Sequence, residues 1–137
     1  MGELKTAKHM QLALIHSSAR PAPGENNERL EFLGDSVLDM LAAQYLYNIY
    51  PSKSEGFLAG ARAELVCTDN LARVAERINL GARLILGGSC RIPTKKMLAD
   101  AVEAQIGAMY LTYGMDTTRQ WVTDNILGRA SYLGRSY

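Results

Sequence analysis

The amino-acid sequence predicts an all-α fold. Apolar residues recur at three- and four-residue steps through most of the chain, the repeat of a helix with one buried face. Proline and glycine fall in short clusters between those stretches, where both disfavour helix. No stretch carries a strand pattern strong enough to commit to. About six or seven helices with short connections are expected.

The first helix is expected from Lys5 to Ser17, broken by Pro21, Pro23 and Gly24. A long helix follows from Asn27 to Ile49. Its stripe is Leu30, Leu33, Val37, Leu38, Leu41, Tyr45, Leu46 and Ile49. Asn26 or Asn27 suits its N-cap, Glu28 complements the dipole of the first turn, and Pro51 ends it. A third helix spans Glu55 to Val66 and a fourth Thr68 to Ile78, with Gly81 expected to close the fourth as a glycine C-cap. An irregular stretch holds Gly87, Gly88 and Pro93. The next helix runs from Lys95 to about Tyr113, and Asp116 or Thr117 caps a last one ending near Leu127. Residues 128–137 read as a loosely ordered tail beyond a single-domain core spanning about residues 5–127.

A chain of 137 residues is long enough to bury a core as one domain. With 47% apolar and 21% charged residues it has the balance of an ordinary globular protein. The net charge of +1 offers no overall attraction for nucleic acid, so any such binding must rest on local patches. Cys67 and Cys90 have neither metal-site nor disulfide-framework spacing and read as reduced thiols. No apolar run approaches the roughly 20 residues of a membrane span, and no signal segment opens the chain, so a cytoplasmic protein without a membrane partner is expected.

The chemistry concentrates in two acidic pairs. Glu31 and Asp35 lie four apart inside Leu30-Glu31-Phe32-Leu33-Gly34-Asp35-Ser36-Val37-Leu38, so both project from one side of the helix. Asp100 and Glu103 lie three apart in a helix rich in small and apolar residues. Carboxylate pairs at helical spacing usually mark a solvated face. Here the surroundings are apolar, and neither pair has a lysine or arginine four residues further on to neutralise it. Gly34 and Gly107 each cost helix propensity, about 1 kcal/mol against alanine. Close approach of the two helices would explain both, and would unite the pairs. An all-oxygen site of this kind suits Mg2+, with Mn2+ able to substitute. Two such ions about 4 Å apart can hydrolyse a phosphodiester without a histidine or a side-chain nucleophile.

The stretch Asn27-Glu28-Arg29 followed by Leu30 to Leu38 resembles the signature of the ribonuclease III family. Leu98-Ala99-Asp100-Ala101-Val102-Glu103-Ala104 resembles that family's second acidic motif, and Ala13-Leu14-Ile15-His16-Ser17-Ser18 its first helix. The resemblance runs from about residue 10 to about residue 127, nearly the whole chain. It implies an all-α, homodimeric nuclease domain that cuts double-stranded RNA with magnesium, leaving 5′-phosphate and 3′-hydroxyl ends with short 3′ overhangs. Glu31, Asp35, Asp100 and Glu103 match the family's catalytic metal-binding acids one by one. The resemblance also implies a dimer contact for Phe32, which would insert into the partner, and a place near the RNA for Glu28. No small-molecule cofactor is implied.

Arg91, Lys95 and Lys96, clustered before the second acidic helix, are candidates for RNA backbone contacts, since duplex RNA is gripped through phosphates and 2′-hydroxyls. Asp39 extends the acidic stripe and reads as structural or exposed. His16 reads as a hydrogen-bonded packing residue. Ser17, Ser36 and Cys67 have no base in the pattern, and Gly87-Gly88 lacks the lysine of a phosphate loop. The chain departs from many relatives at Cys67-Thr68, where they carry serine and asparagine. It also stops soon after the last nuclease-domain helix, where bacterial members usually continue into an RNA-binding domain. An excised domain and a minimal member both fit that ending. A non-cleaving RNA-binding or ribosome-associated protein of the same fold is the alternative function.

Overall fold

The computed structural model describes residues 8–19, 21, 23–88 and 92–128. Within them the chain is helical, as the periodicity predicts. The described part of α1 covers residues 8–12. The long helices are α2 (Glu28–Ile49), α3 (Glu55–Val66), α4 (Thr68–Arg77), α5 (Lys95–Tyr113) and α6 (Met115–Val122). A π-helical turn, Thr123–Leu127, extends α6. The expected tail beyond residue 128, Cys90 and Arg91 lie outside the described residues.

Helix α5 is the centre of the fold. Leu98, Ala99, Ala101, Val102, Ala104, Ile106, Gly107, Ala108 and Met109 are all buried, which leaves it covered round most of its circumference. Helices α2, α4 and α6 pack directly on it. Helix α2 contributes Leu30, Gly34, Val37, Leu38, Leu41, Ala42 and Leu46 to the interior. Leu33 and Tyr45 of its predicted stripe pack on the core only in part, and Ile49, at the frayed end, is exposed. Helix α4 shows one buried face, Leu71, Ala72, Val74 and Ala75, and α3 seats Ala61 and Leu65.

Several helix ends differ from expectation, each for a local reason. Helix α1 stops at residue 12, short of Ser17, because the chain turns out to meet a distant segment. Ile15 forms an isolated parallel bridge with Ile85, through Ile85 N–H to the Leu14 carbonyl (2.8 Å) and His16 N–H to the Ile85 carbonyl (3.1 Å). Asn27 occupies the first position before α2 but its side chain caps nothing there. It is buried, and its backbone N–H donates to the Ile15 carbonyl. The cap is Asn26, whose Oδ1 accepts from Glu28 N–H at 2.9 Å.

Helix α4 is closed by Asn79, not by Gly81. Asn79 takes φ 56°, a left-handed conformation that asparagine tolerates through its short polar side chain. Leu80 N–H then bonds the Ala75 carbonyl and Asn79 N–H the Glu76 carbonyl, the two bonds of a Schellman ending, while Leu80 is buried. At the last junction neither Asp116 nor Thr117 caps the helix. Gly114, at φ 87°, makes the turn, and Thr118 Oγ1 donates to its carbonyl at 2.7 Å.

The closest packing in the core is backbone on backbone. A Cβ at Gly34 would lie 1.6 Å from the Glu103 carbonyl oxygen, and one at Gly107 would lie 2.3 Å from that of Leu30. No rotamer change relieves a clash with main chain, so the helices would have to separate. Gly34→Ala and Gly107→Ala are each expected to destabilise the fold by about 3 kcal/mol or more. Urea unfolding at fixed protein concentration measures this, and a cost near that of an ordinary surface substitution would contradict the contact.

Candidate active site

The α2–α5 contact places the two acidic pairs face to face. Glu31 and Asp35 sit one turn apart on α2, flanking Gly34 in sequence. Asp100 and Glu103 sit one turn apart on α5. All four line one open cavity of about 600 Å³, together with Glu28, Phe32, Thr68 and Lys96. The structure therefore brings together every carboxylate that the sequence singled out as a ligand, with Glu28 at the margin. Asp39 is not among the lining residues.

The carboxyls pair across the helices: Glu31 hydrogen-bonds Asp100, and Glu103 hydrogen-bonds Asp35. Carboxylates this close repel when both are ionised, which favours the protonated forms of Glu31 and Glu103. Partial burial, with Asp100 close by, raises Glu31 from 4.5 to about 7. Burial raises Glu103 further, to about 9, helped by the hydrogen bond and charge of Asp35. Asp39 is raised by burial and then by Asp35, and Arg62 opposes the shift.

Two of the three basic residues expected to meet RNA are engaged with acids. Lys95 Nζ lies 3.4 Å from Asp69 Oδ1, a pair exposed on both sides. Lys96 Nζ lies 3.2 and 3.3 Å from the two oxygens of Asp100. The acidic pair of α5 is therefore neutralised along its own helix, contrary to expectation, by a lysine four residues before it instead of after. That spacing was available in the sequence to a search in both directions. Thr68 is a lining residue that sequence reasoning missed. Its position follows from the tight α3–α4 junction, where Cys67 alone separates the helices and Asn70 Nδ2 donates to the Leu65 carbonyl at 2.6 Å. Only the tertiary fold turns that junction toward α5.

His16 lies outside the cavity lining. Its Nδ1 accepts from Ser18 N–H at 3.0 Å, and Ser18 Oγ accepts from Gly87 N–H at 3.1 Å, so the ring ties its own turn to the distant loop. Phe32 is 80% exposed, between the half-buried Glu31 and Leu33. Phe32 also lines a second hollow of about 670 Å³, with Leu12, Leu30, Leu33 and Leu111 on its apolar side and His9, Asn26, Glu28 and Arg29 on its polar side.

Residues 7–130 match the family model described as Ribonuclease-III-like. The chain belongs to the ribonuclease III family. Ribonuclease 3 of Syntrophomonas wolfei is 50% identical over 117 residues, covering 81% of this chain and 50% of the relative. The chain thus spans about half the length of such curated relatives. The solved nuclease domain of ribonuclease III from Campylobacter jejuni superposes with a TM-score of 0.83 at 31% identity, covering 95% of this chain and 94% of that one. A second structure of that domain, which concerns flexibility in a region involved in its dimer formation, has a TM-score of 0.80 at 33% identity and covers 87% of each chain. These likenesses cover most of the chain.

The donor set of this ribonuclease III-family site fits a hard divalent cation. It is all oxygen, with Glu31, Asp100 and Glu103 half-buried and Asp35 exposed. As placed, no three side chains among the described residues close on a common point as ion ligands. The carboxyls hold one another and Lys96 instead, and binding would require them to give up those partners. In the metal-free protein, folding holds protons on Glu31 and Glu103 more tightly than the unfolded chain does. Stability should therefore fall as pH rises, from about 4.5 through about 9 for Glu103. Thermal melting in chelator across that range measures this, and Glu103→Gln should flatten the decline and raise the melting temperature at the alkaline end.

Proposed function

We propose that this chain is a magnesium-dependent endoribonuclease that hydrolyses phosphodiester bonds of double-stranded RNA, for RNA processing. The observation that carries the reading is the convergence of Glu31, Asp35, Asp100 and Glu103, from two helices, on one cavity. Membership of the ribonuclease III family supports it, as do Ribonuclease 3 relatives that share both acidic motifs' region. The products would carry 5′-phosphate and 3′-hydroxyl ends with short 3′ overhangs.

A phosphate cannot settle against four acids unless their charge is offset. Glu31, Asp35, Asp100 and Glu103 would hold Mg2+, or Mn2+ in its place, and the bound cations would supply charge neutralisation and an activated water. The chain's own contribution is placement. The Gly34–Gly107 contact sets the distance between the two carboxylate pairs, and burial by α2 and α5 keeps water from diluting their field. Glu31 and Glu103 would bind a cation as carboxylates, so binding would be coupled to loss of the protons they hold. Lys95, Lys96 and Arg91 are proposed to meet the RNA backbone, the first two after releasing Asp69 and Asp100.

The protein is also proposed to act as a homodimer through Phe32. The exposed Phe32 ring on the wall of a partly apolar hollow supports this, since a two-fold contact joins one patch to its own copy. The dimer formation of the Campylobacter jejuni nuclease domain supports this reading.

With labelled duplex RNA in low salt and magnesium, the wild type should cut the duplex and spare single strands. Glu103→Ala should lower the cleavage rate by about a thousandfold or more while duplex binding persists. A wild type that binds duplex without cutting, in magnesium and in manganese, would leave the non-cleaving alternative standing. Phe32→Ala removes a ring worth about 1.5–3 kcal/mol of burial, twice in a symmetric dimer. Sedimentation should show dimerisation weakened by about a hundredfold or more.

A further inference from the structure

The geometry points to Lys96 as a built-in counter-ion of the carboxylate cluster, one that a divalent cation must displace from Asp100 to bind. The inference rests on the metal-binding reading above and deepens it. Lys96 Nζ addresses both oxygens of Asp100, at 3.2 and 3.3 Å, which is the face a cation ligand would offer. The lysine is 78% exposed while Asp100 is only 18% exposed, so the charge reaches inward from the rim toward a half-buried acid. Lys96 lines the same cavity as all four acids. Its charge is felt at Glu31 and Glu103 as well as at Asp100.

Ordinary helix stabilisation does not account for this pair. Lys96 lies in the first turn of α5, where the helix dipole disfavours a positive charge. A base four residues before an acid is also the less favourable order along a helix. The neighbouring Lys95 shows the ordinary case, since its bond to Asp69 joins two exposed side chains outside the cavity lining. The second basic position in α5 therefore makes sense as part of the acidic site. An ammonium satisfies Asp100 while the site waits for its cation, and its competition raises the cation concentration at which the cluster fills.

Manganese binding to the whole chain without RNA, followed by electron paramagnetic resonance of free Mn2+, tests this. Lys96→Gln should tighten binding by roughly three- to tenfold, because it removes both a bound competitor and a repelling charge. Lys96→Arg should stay near the wild type. Lys53→Gln removes the same net charge beyond the far end of α2 and should change affinity by less than about twofold, given screening over that distance. Unchanged or weaker binding in Lys96→Gln overturns the proposal, as does equal tightening in Lys53→Gln. If neither wild type nor Lys96→Gln takes up Mn2+ in a manner that Glu103→Ala removes, the metal-binding reading itself fails, and the counter-ion role with it.

Discussion

Everything at the site depends on the backbone contact between Gly34 and Gly107. Glycine is a poor helix former, and both residues sit inside long helices where alanine would favour the isolated element by about 1 kcal/mol. Tertiary packing reverses that preference. The missing side chains let α2 lie directly against α5, so that the Glu103 carbonyl occupies the space of a Gly34 Cβ. Because Gly34 lies between Glu31 and Asp35, and Gly107 lies one turn beyond Glu103, the contact and the chemistry share the same turns. The core that steadies this crossing is built of leucine, valine and alanine, whose packing is indifferent to the reaction.

The same crossing creates an electrostatic burden. It gathers four acids, with Glu28 close by, into a region where water screens them less well. Three features ease that burden: the raised proton affinity of Glu31 and Glu103, the exposure of Asp35, and the ammonium of Lys96 beside Asp100. On the proposed function, a divalent cation would offset the same charge by direct coordination. The cluster is therefore better explained by ligand binding than by folding, since a folded protein gains little from holding like charges together.

How much of this was legible in the sequence depends on the range of the interaction. The long helices α2 and α5 could be read closely, because their apolar repeat is long and α2 is bounded by Asn26 and Pro51. The end of α1 could not, since it is set by Ile15 meeting Ile85, seventy positions away. The α4 ending was misassigned to Gly81 because asparagine is the less common left-handed residue, although Asn79 carries out the same geometry. Lys96 was visible as a base but not as a partner of Asp100, because a base four residues before an acid is the less favoured order along a helix. For Phe32 the sequence offered only what the family resemblance implies; its solvent-facing position is a property of how α2 is rotated against α5.

The sequence by itself determined the helices, the two acidic pairs and the family. These are encoded in neighbouring residues, through a repeat of 3.6 residues per turn and through motifs that survive being read in one dimension. Only the tertiary structure decided that Glu31 faces Asp100 and Asp35 faces Glu103, that Thr68 joins their cavity, and that Lys96 closes on it. Those pairings depend on the rotation and separation of two helices about seventy residues apart along the chain, which the summed packing of the core selects and no local pattern records.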